Sequence, residues 1–97
     1  MQVIYNKQAL DDQLREIHFW MDQSPELGQK LLDELEQAIE TIKASPNGFY
    51  MASSERNIRR FVEGRFHTTI LYRFIEDRDE LRILRFYNSK MNPIKFL

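Results

Sequence analysis

The chain changes near residue 48 from helical periodicity to strand periodicity. Two apolar stripes at helical spacing come first: Leu10, Leu14, Ile17 and Met21, then Leu27, Leu31, Leu35, Ala38 or Ile39, and Ile42. Ser24-Pro25-Glu26 lies between them and combines a hydroxyl N-cap, a proline at the first helical position and an acid facing the helix dipole. The sequence therefore predicts two long helices that form an antiparallel hairpin.

Ser45-Pro46-Asn47-Gly48 ends the second helical pattern, and residues rich in β-branched and aromatic side chains follow. We expect irregular structure over residues 49–54 and strands over Val3–Tyr5 (at an edge), Asn57–Phe61, Arg65–Glu76 and Glu80–Asn88, with a turn at Asp77-Arg78-Asp79. The predicted order is β-α-α-β-β-β, a single α+β domain over residues 1–97. An antiparallel sheet would carry the helical hairpin on one face. Its second face would be partly apolar and available to a partner.

Charge is distributed unevenly along the chain. Residues 1–48 contain four Lys/Arg and nine Asp/Glu, a net of −5, whereas residues 49–97 contain ten and six, a net of +4. This asymmetry indicates an anionic or acidic partner for the basic half. The pI of about 6.1 is not that of a general nucleic-acid binder. The absence of cysteine fits a reducing cytosol, and we expect neither a signal peptide nor a membrane span.

The sequence carries few of the usual catalytic or cofactor motifs. Its three glycines form no phosphate-binding loop, and its two histidines lack metal-ligand spacing, so we expect no cofactor and no metal. His18 lies beside the first apolar stripe, which favours a packing role. His67 is interpreted as a solvated strand residue, with proton transfer as the alternative.

The strongest chemical signal is a set of cations interleaved with aromatic residues: Arg56, Arg59, Arg60, Arg65, Arg73, Arg82, Arg85 and Lys90 among Phe61, Phe66, Tyr72, Phe86 and Tyr87. Arginine beside aromatic rings can hold phosphates or acidic side chains. For any single arginine we favour a solvent-facing strand position paired with Glu55, Glu63, Glu76 or Glu80. For the group we favour a function, with the guanidinium groups converging on one exposed side of the sheet.

Several segments together resemble the RelE/ParE superfamily of bacterial toxins. They are Gln29–Pro46, Asn57–Arg60, Arg65–Arg73, Leu81–Arg85 and Asn92-Pro93, and the resemblance covers nearly all of the chain in the right order. It implies the toxin of a type II toxin–antitoxin system, located in the cytoplasm. A cognate antitoxin would neutralise it through an extended, often acidic, segment, and the two would form a hetero-oligomer.

Two branches of this superfamily differ in chemistry. ParE-like members inhibit DNA gyrase and lack a ribonuclease site, and their growth inhibition is associated with plasmid stabilisation. The Arg59-Arg60 pair and the strand start at Phe66 look closer to this branch, which we favour. The partner-binding residues would then be Arg59, Arg60, Arg73, Arg82 and Phe66.

RelE-like members are endoribonucleases that cut mRNA in the ribosome. The resemblance would place a catalytic arginine at the position of Thr69. In this alternative Tyr87 would transfer the proton, and Arg85 or Lys90 would stabilise the phosphate. Many relatives also carry a histidine and basic residues where this chain reads Tyr87-Asn88-Ser89-Lys90. Whether the protein is an enzyme, a gyrase inhibitor or a non-toxic interaction module therefore stays open.

Overall fold

The computed structural model describes residues 1–89, so Lys90 and Asn92-Pro93 lie outside the described residues. Its elements are β1 (Gln2–Tyr5), α1 (Lys7–Gln23), α2 (Pro25–Ala44), β2 (Met51–Ser53), β3 (Ile58–Glu63), β4 (Thr68–Ile75) and β5 (Glu80–Asn88). A single turn of 3-10 helix, Glu76–Arg78, joins β4 to β5 at the predicted turn. The α+β class and the helical hairpin are confirmed. No helix within this part of the chain is both long and apolar enough to cross a bilayer.

The five strands form one sheet in the order β1-β5-β4-β3-β2, with the predicted β4–β5 hairpin in the middle. The prediction of an all-antiparallel sheet is wrong at β1, which pairs in parallel with β5 from Gln2↔Glu80 to Tyr5↔Ile83. Side chains alternate with a period of two in both kinds of pairing, so the sequence pattern does not reveal strand direction. β2 was expected to be irregular. It is a three-residue edge strand with a register shift between Met51 and Ser53, too short for its alternation to be recognised.

A single residue, Ser24, separates the two helices. Its backbone N–H donates to the Trp20 carbonyl, while its own carbonyl accepts from Leu27 and Gly28. Pro25 occupies the first turn of α2 as predicted, but the Ser24 hydroxyl makes no capping hydrogen bond. The backbone therefore closes the hairpin without the side-chain cap that the sequence suggested.

α2 packs its predicted stripe against the sheet. Its buried residues are Gly28, Leu31, Leu35, Ala38, Ile39 and Ile42. They form one core with buried sheet residues that include Ile70, Tyr72, Leu81, Ile83 and Phe86. The Tyr72 hydroxyl donates to the Pro46 carbonyl at 2.9 Å, which connects β4 to the end of α2. Burial raises the pKa of this phenol to about 12.

Three of the four residues in the predicted apolar stripe of α1 point away from the core, and only the fourth, Ile17, packs against it. Leu10, Leu14 and Met21 are 45%, 56% and 47% exposed, whereas Ala9 and Asp12 are buried. α1 is therefore rotated relative to the prediction, with a carboxylate on its inner side. Asp12 accepts a hydrogen bond from the backbone N–H of Phe86 at 3.1 Å, and this contact holds that side of α1 against β5.

The sheet has two distinct faces. We call the face that carries the hairpin the helix side; the register row Phe61↔Ile70↔Phe86 lies on it. We call the opposite face the far face, and it holds a second apolar cluster of Ile58, Leu71 and Tyr87 with Ala52 and Leu84. The far face is partly apolar, as predicted, but Ile58, Leu71 and Tyr87 are at most 5% exposed. These three side chains are therefore not an accessible apolar surface.

Candidate partner-binding site

Four of the predicted arginines have side chains that leave the backbone on the far face. Arg60 and Arg85 both lie opposite Leu71 in the register, and Arg73 lies directly opposite Arg82. Since partners in adjacent strands point to the same side of a sheet, these four side chains leave the backbone on one face. Strict alternation would put Arg82 and Arg85 on opposite faces, so the register shift between Leu71 and Tyr72, and not the strand pattern, brings them to one face.

The guanidinium groups nevertheless diverge, so the prediction that they converge is wrong. Arg85 donates two hydrogen bonds, of 2.7 and 3.0 Å, to the Asp12 carboxylate. Hydrogen bonding to Asp12 raises the pKa of Arg85. Arg82 donates twice to the Glu80 carboxylate and once to Asn6. Both cations are compensated locally at the β1–β5 side of the sheet.

The remaining predicted residues lie on the helix side or in the turn before β4. Arg59 shares the register row of Tyr72 and donates to the Phe49 carbonyl at 2.8 Å. Arg65 forms an ion pair with Glu34 of α2 at 3.5 Å. Phe66 is not the start of a strand: it lies in a turn, is 8% exposed, and donates its N–H to Glu63.

Two far-face cations have only neutral partners among residues 1–89. The Arg60 guanidinium lies over the Tyr50 ring, 4.4 Å from its centroid, and Arg73 Nε donates to the Arg56 carbonyl at 3.1 Å. Within residues 1–89 neither group forms an ion pair with a carboxylate. Arg60 and Arg73 are diagonal neighbours on adjacent strands, because Arg60 lies opposite Leu71. We call Tyr50, Arg60 and Arg73 the arginine patch.

The arginine patch can bind a negatively charged surface. Arg60 and Tyr50 are exposed, and Tyr50 is the most exposed large apolar residue of the described chain at 62%. A guanidinium group that has no carboxylate partner within the protein is available to pair with an anionic group of a binding partner. An aromatic ring beside them adds apolar contact area. This combination suits a macromolecular partner.

The residues considered for RNA cleavage are arranged differently. Tyr87 is buried in the far-face cluster and lies opposite Thr69. The Thr69 hydroxyl, at the position where the resemblance would place arginine, is 2.8 Å from the Ser89 hydroxyl. Arg85 directs Nε and one Nη to Asp12, so much of its hydrogen-bonding capacity is already used within the protein.

Neither histidine occupies the position that was predicted. His18 is exposed instead of packed, and His67 is exposed in a turn with a left-handed φ of 59°. The His67 carbonyl accepts from both the backbone N–H and the hydroxyl of Ser89. His67 therefore acts through its backbone in joining β4 to the end of β5.

The sequence reasoning missed two carboxylates that position the sheet edge, Asp12 and Glu16. Asp12 anchors Arg85, and Glu16 accepts a hydrogen bond from Thr68 at 3.1 Å. One signal was available: both acids lie at i, i+4 spacing on the side of α1 that also carries Ala9 and Trp20. The stripe formed by Leu10, Leu14, Ile17 and Met21 is more apolar, so the sequence favoured burial of that side of the helix instead.

Comparisons with known proteins identify the fold. No family model matches the chain, and no curated protein matches it. A chain in the solved structure of the chromosomal ParDE TA system from P. aeruginosa superposes with a TM-score of 0.78 at 17% identity. The match covers 93% of this chain and 97% of that one. The protein therefore has the fold of that ParDE chain, here a mixed five-stranded sheet with two helices on one face.

Proposed function

We propose that this protein is the toxin of a type II toxin–antitoxin system and that it inhibits DNA gyrase by binding it. The observation that carries this proposal is the fold, which matches a ParDE chain over 93% of the sequence. The binding surface would be the arginine patch, whose two cations have neutral partners within residues 1–89. A cytoplasmic location follows from the same proposal.

A binding mechanism fits the local chemistry better than RNA cleavage. Thr69 cannot supply the positive charge expected of a ribonuclease at this position, and Arg85 is engaged by Asp12. The far face therefore supports a gyrase-binding role, in which Arg60 and Arg73 contact acidic side chains or phosphates.

A cognate antitoxin would cover the surfaces that a partner can reach. An extended acidic segment complements the arginine patch in charge. Exposed apolar side chains offer contact area on α1, namely Leu10, Leu14, Phe19 and Met21. Antitoxin binding would thus both neutralise cations and bury apolar surface.

Induced expression with and without the product of the neighbouring small gene tests the proposal in cells. We expect growth arrest and relaxed plasmid DNA when the protein is expressed alone, and normal growth when both are expressed. Normal growth without the neighbour, at protein levels confirmed by blotting, would contradict toxicity and favour a non-toxic interaction module. Growth arrest with cleaved mRNA and unchanged plasmid supercoiling would instead favour a ribosome-dependent endoribonuclease.

Neutralising the arginine patch tests where the partner binds. We expect the double variant R60Q/R73Q to lose about tenfold or more in gyrase affinity, because two charge-assisted contacts disappear. Arg78→Gln is the matched control, since Arg78 is an exposed arginine in the β4–β5 turn. Equal affinity of R60Q/R73Q and the unmodified protein would place the interface elsewhere.

A further inference from the structure

A cavity of about 370 Å³ lies between the second half of α1 and the adjoining ends of β4 and β5. It is distinct from the arginine patch, which lies near β2 and β3. Its lining is formed by Arg15, Glu16, Phe19, Trp20, Phe66, Thr68 and Asn88. The cavity is large enough for the end of one long side chain.

Three aromatic rings form a continuous wall. Phe19 meets Trp20 edge to face at 5.3 Å between centroids, and Trp20 meets Phe66 in the same manner at 5.2 Å. Phe19 is 57% exposed although it is a large apolar residue. Aromatic faces carry negative electrostatic potential and attract cations, most strongly on tryptophan.

Glu16 provides a carboxyl group in the same cavity. One of its oxygens accepts from the Thr68 hydroxyl at 3.1 Å, and the other has no hydrogen bond among residues 1–89. No buried side-chain oxygen of the described residues lacks a partner, so this second oxygen is open to solvent. A half-buried carboxyl group with one neutral partner has unused capacity to accept a charged donor.

The surrounding charges favour a cation. Burial raises the pKa of Glu16, the Thr68 hydrogen bond opposes this, and Asp12 and Glu63 raise it further. Arg15 also lines the cavity, but its side chain is 73% exposed and its guanidinium is 3.4 Å from Asp12. Asp12 is already paired with Arg85, whereas Glu16 forms no ion pair among residues 1–89, so Glu16 is the acid of the cavity that an entering cation can pair with.

We propose that this cavity receives the cationic end of an arginine or lysine side chain from a partner protein. Glu16 would accept its N–H donors, and Phe19 and Trp20 would contact its flat or apolar parts. This inference goes beyond the proposed function and does not rest on gyrase inhibition, because it concerns a separate surface of the chain.

Trp20 reports directly on this cavity, because it is the sole tryptophan in the sequence. Its fluorescence would be titrated with N-acetylarginine methylamide and N-acetyllysine methylamide, each up to about 200 mM. We expect saturable changes with dissociation constants of about 10 mM, as befits one isolated side chain. N-acetylnorleucine methylamide, which resembles lysine without its charge, should bind at least about fivefold more weakly.

Variants separate the charge from the shape of the cavity. Glu16→Gln should weaken binding of both cationic amides about tenfold while leaving norleucine amide unchanged. Asp22→Asn is the control for loss of an acid from an exposed position of the same helix. Phe19→Ala should weaken cation binding about threefold, and its exposed side chain makes unfolding a minor concern.

Four outcomes with these ligands would overturn the proposal, and a fifth concerns nucleosides. The first four are no saturable fluorescence change, equal binding of norleucine amide, unchanged cation affinity in Glu16→Gln, and tighter binding of tetramethylammonium than of either amide. The last would identify a site for small organic cations instead of protein side chains. Preferential binding of adenosine or uridine would likewise replace the proposal with a nucleobase site.

Discussion

At the residue scale, Asp12 is the contact on which the packing of α1 depends. It is 2% exposed and bonds both the Arg85 guanidinium and the Phe86 backbone N–H. A carboxylate in this position joins residues 74 positions apart in the sequence. It also forms an ion pair with the partly buried Arg85 guanidinium at 2.7 Å.

Asp12→Asn should therefore destabilise the protein by about 2–3 kcal/mol, because the buried side chain loses the charge-assisted hydrogen bonds of a carboxylate to Arg85 and to the Phe86 N–H. Asp11→Asn is the adjacent control. Its ion pair with Lys7 is exposed, so the expected change is within about 0.5 kcal/mol. Urea unfolding of the three proteins measures the difference. Similar midpoints for Asp11→Asn and Asp12→Asn would contradict the role given to Asp12.

Glu16 should give stability a characteristic dependence on pH. Its pKa in the folded protein is raised above the ordinary value of 4.5, first by burial and then by Asp12 and Glu63, against opposing effects of Thr68 and Arg15. At a pH between the pKa values of the unfolded and folded states, Glu16 is therefore protonated in the folded protein and ionised in the unfolded chain. The contribution of Glu16 is fully present below about pH 4.5 and is lost as pH rises through the raised pKa.

Glu16→Gln should remove this pH-dependent contribution to the free energy of unfolding, because glutamine does not titrate. The stability of the unmodified protein relative to the variant is expected to fall between pH 4 and pH 7, while the other titrating groups largely cancel in the comparison. Urea unfolding of both proteins at each pH measures the difference. A constant difference, or one that grows in favour of the unmodified protein, would contradict a raised pKa.

At the element scale, the rotation of α1 is the feature that most affects how the surface is interpreted. Leu14 is 56% exposed and Leu35 of α2 is 1% exposed, although both belonged to predicted inward stripes. Leu14→Ala should change stability by no more than about 0.5 kcal/mol, whereas Leu35→Ala should cost about 2–5 kcal/mol through lost burial and a cavity. Thermal or urea unfolding measures both. Equal losses would mean that α1 presents its leucine stripe to the core.

Strong local signals made much of the fold predictable. Glu80–Asn88 was predicted with the bounds that the structure shows, and α2 buries its predicted stripe apart from the half-buried Leu27. The missed features depend on long-range contacts. The parallel direction of β1 requires pairing of Gln2 with Glu80, and the rotation of α1 requires the contact of Asp12 with Phe86.

The candidate site was only partly predictable in backbone placement and not in its guanidinium positions. Strict alternation along β5 predicts opposite faces for Arg82 and Arg85, which are three residues apart, and the register shift between Leu71 and Tyr72 places both on the face of Arg73. A long arginine side chain, however, can reach a carboxylate on another element or at a sheet edge. Arg82 reaches Glu80, one of the glutamates expected as a local partner, at the i, i+2 spacing of one strand face. Arg85 reaches Asp12 on α1, and this contact has no signature in the spacing of the sequence.

At the scale of the whole molecule, folding reduces the charge asymmetry that the sequence carries. Among residues 1–89, two ion pairs join acids of the first half to arginines of the second, Asp12 with Arg85 and Glu34 with Arg65. Arg60 and Arg73 keep neutral partners within residues 1–89, so positive charge remains concentrated at the arginine patch. The proposed interaction with an acidic partner therefore uses a subset of the arginines.

Binding through the arginine patch should respond to ionic strength. Raising salt from 50 to 200 mM is expected to weaken the affinity of the protein for its antitoxin by about three- to tenfold, mainly through slower association. The same experiment with R60Q/R73Q should give a smaller salt dependence, and Arg78→Gln should behave like the unmodified protein. An affinity independent of salt would contradict an electrostatic contact at this patch.

Supercoiling of relaxed plasmid by purified DNA gyrase, with increasing amounts of the purified protein, tests the central claim most directly. We predict a dose-dependent loss of supercoiled product that the cognate antitoxin reverses and that R60Q/R73Q shows only at about tenfold higher concentration. Undiminished supercoiling at a large molar excess of folded protein would contradict the assignment as a gyrase inhibitor.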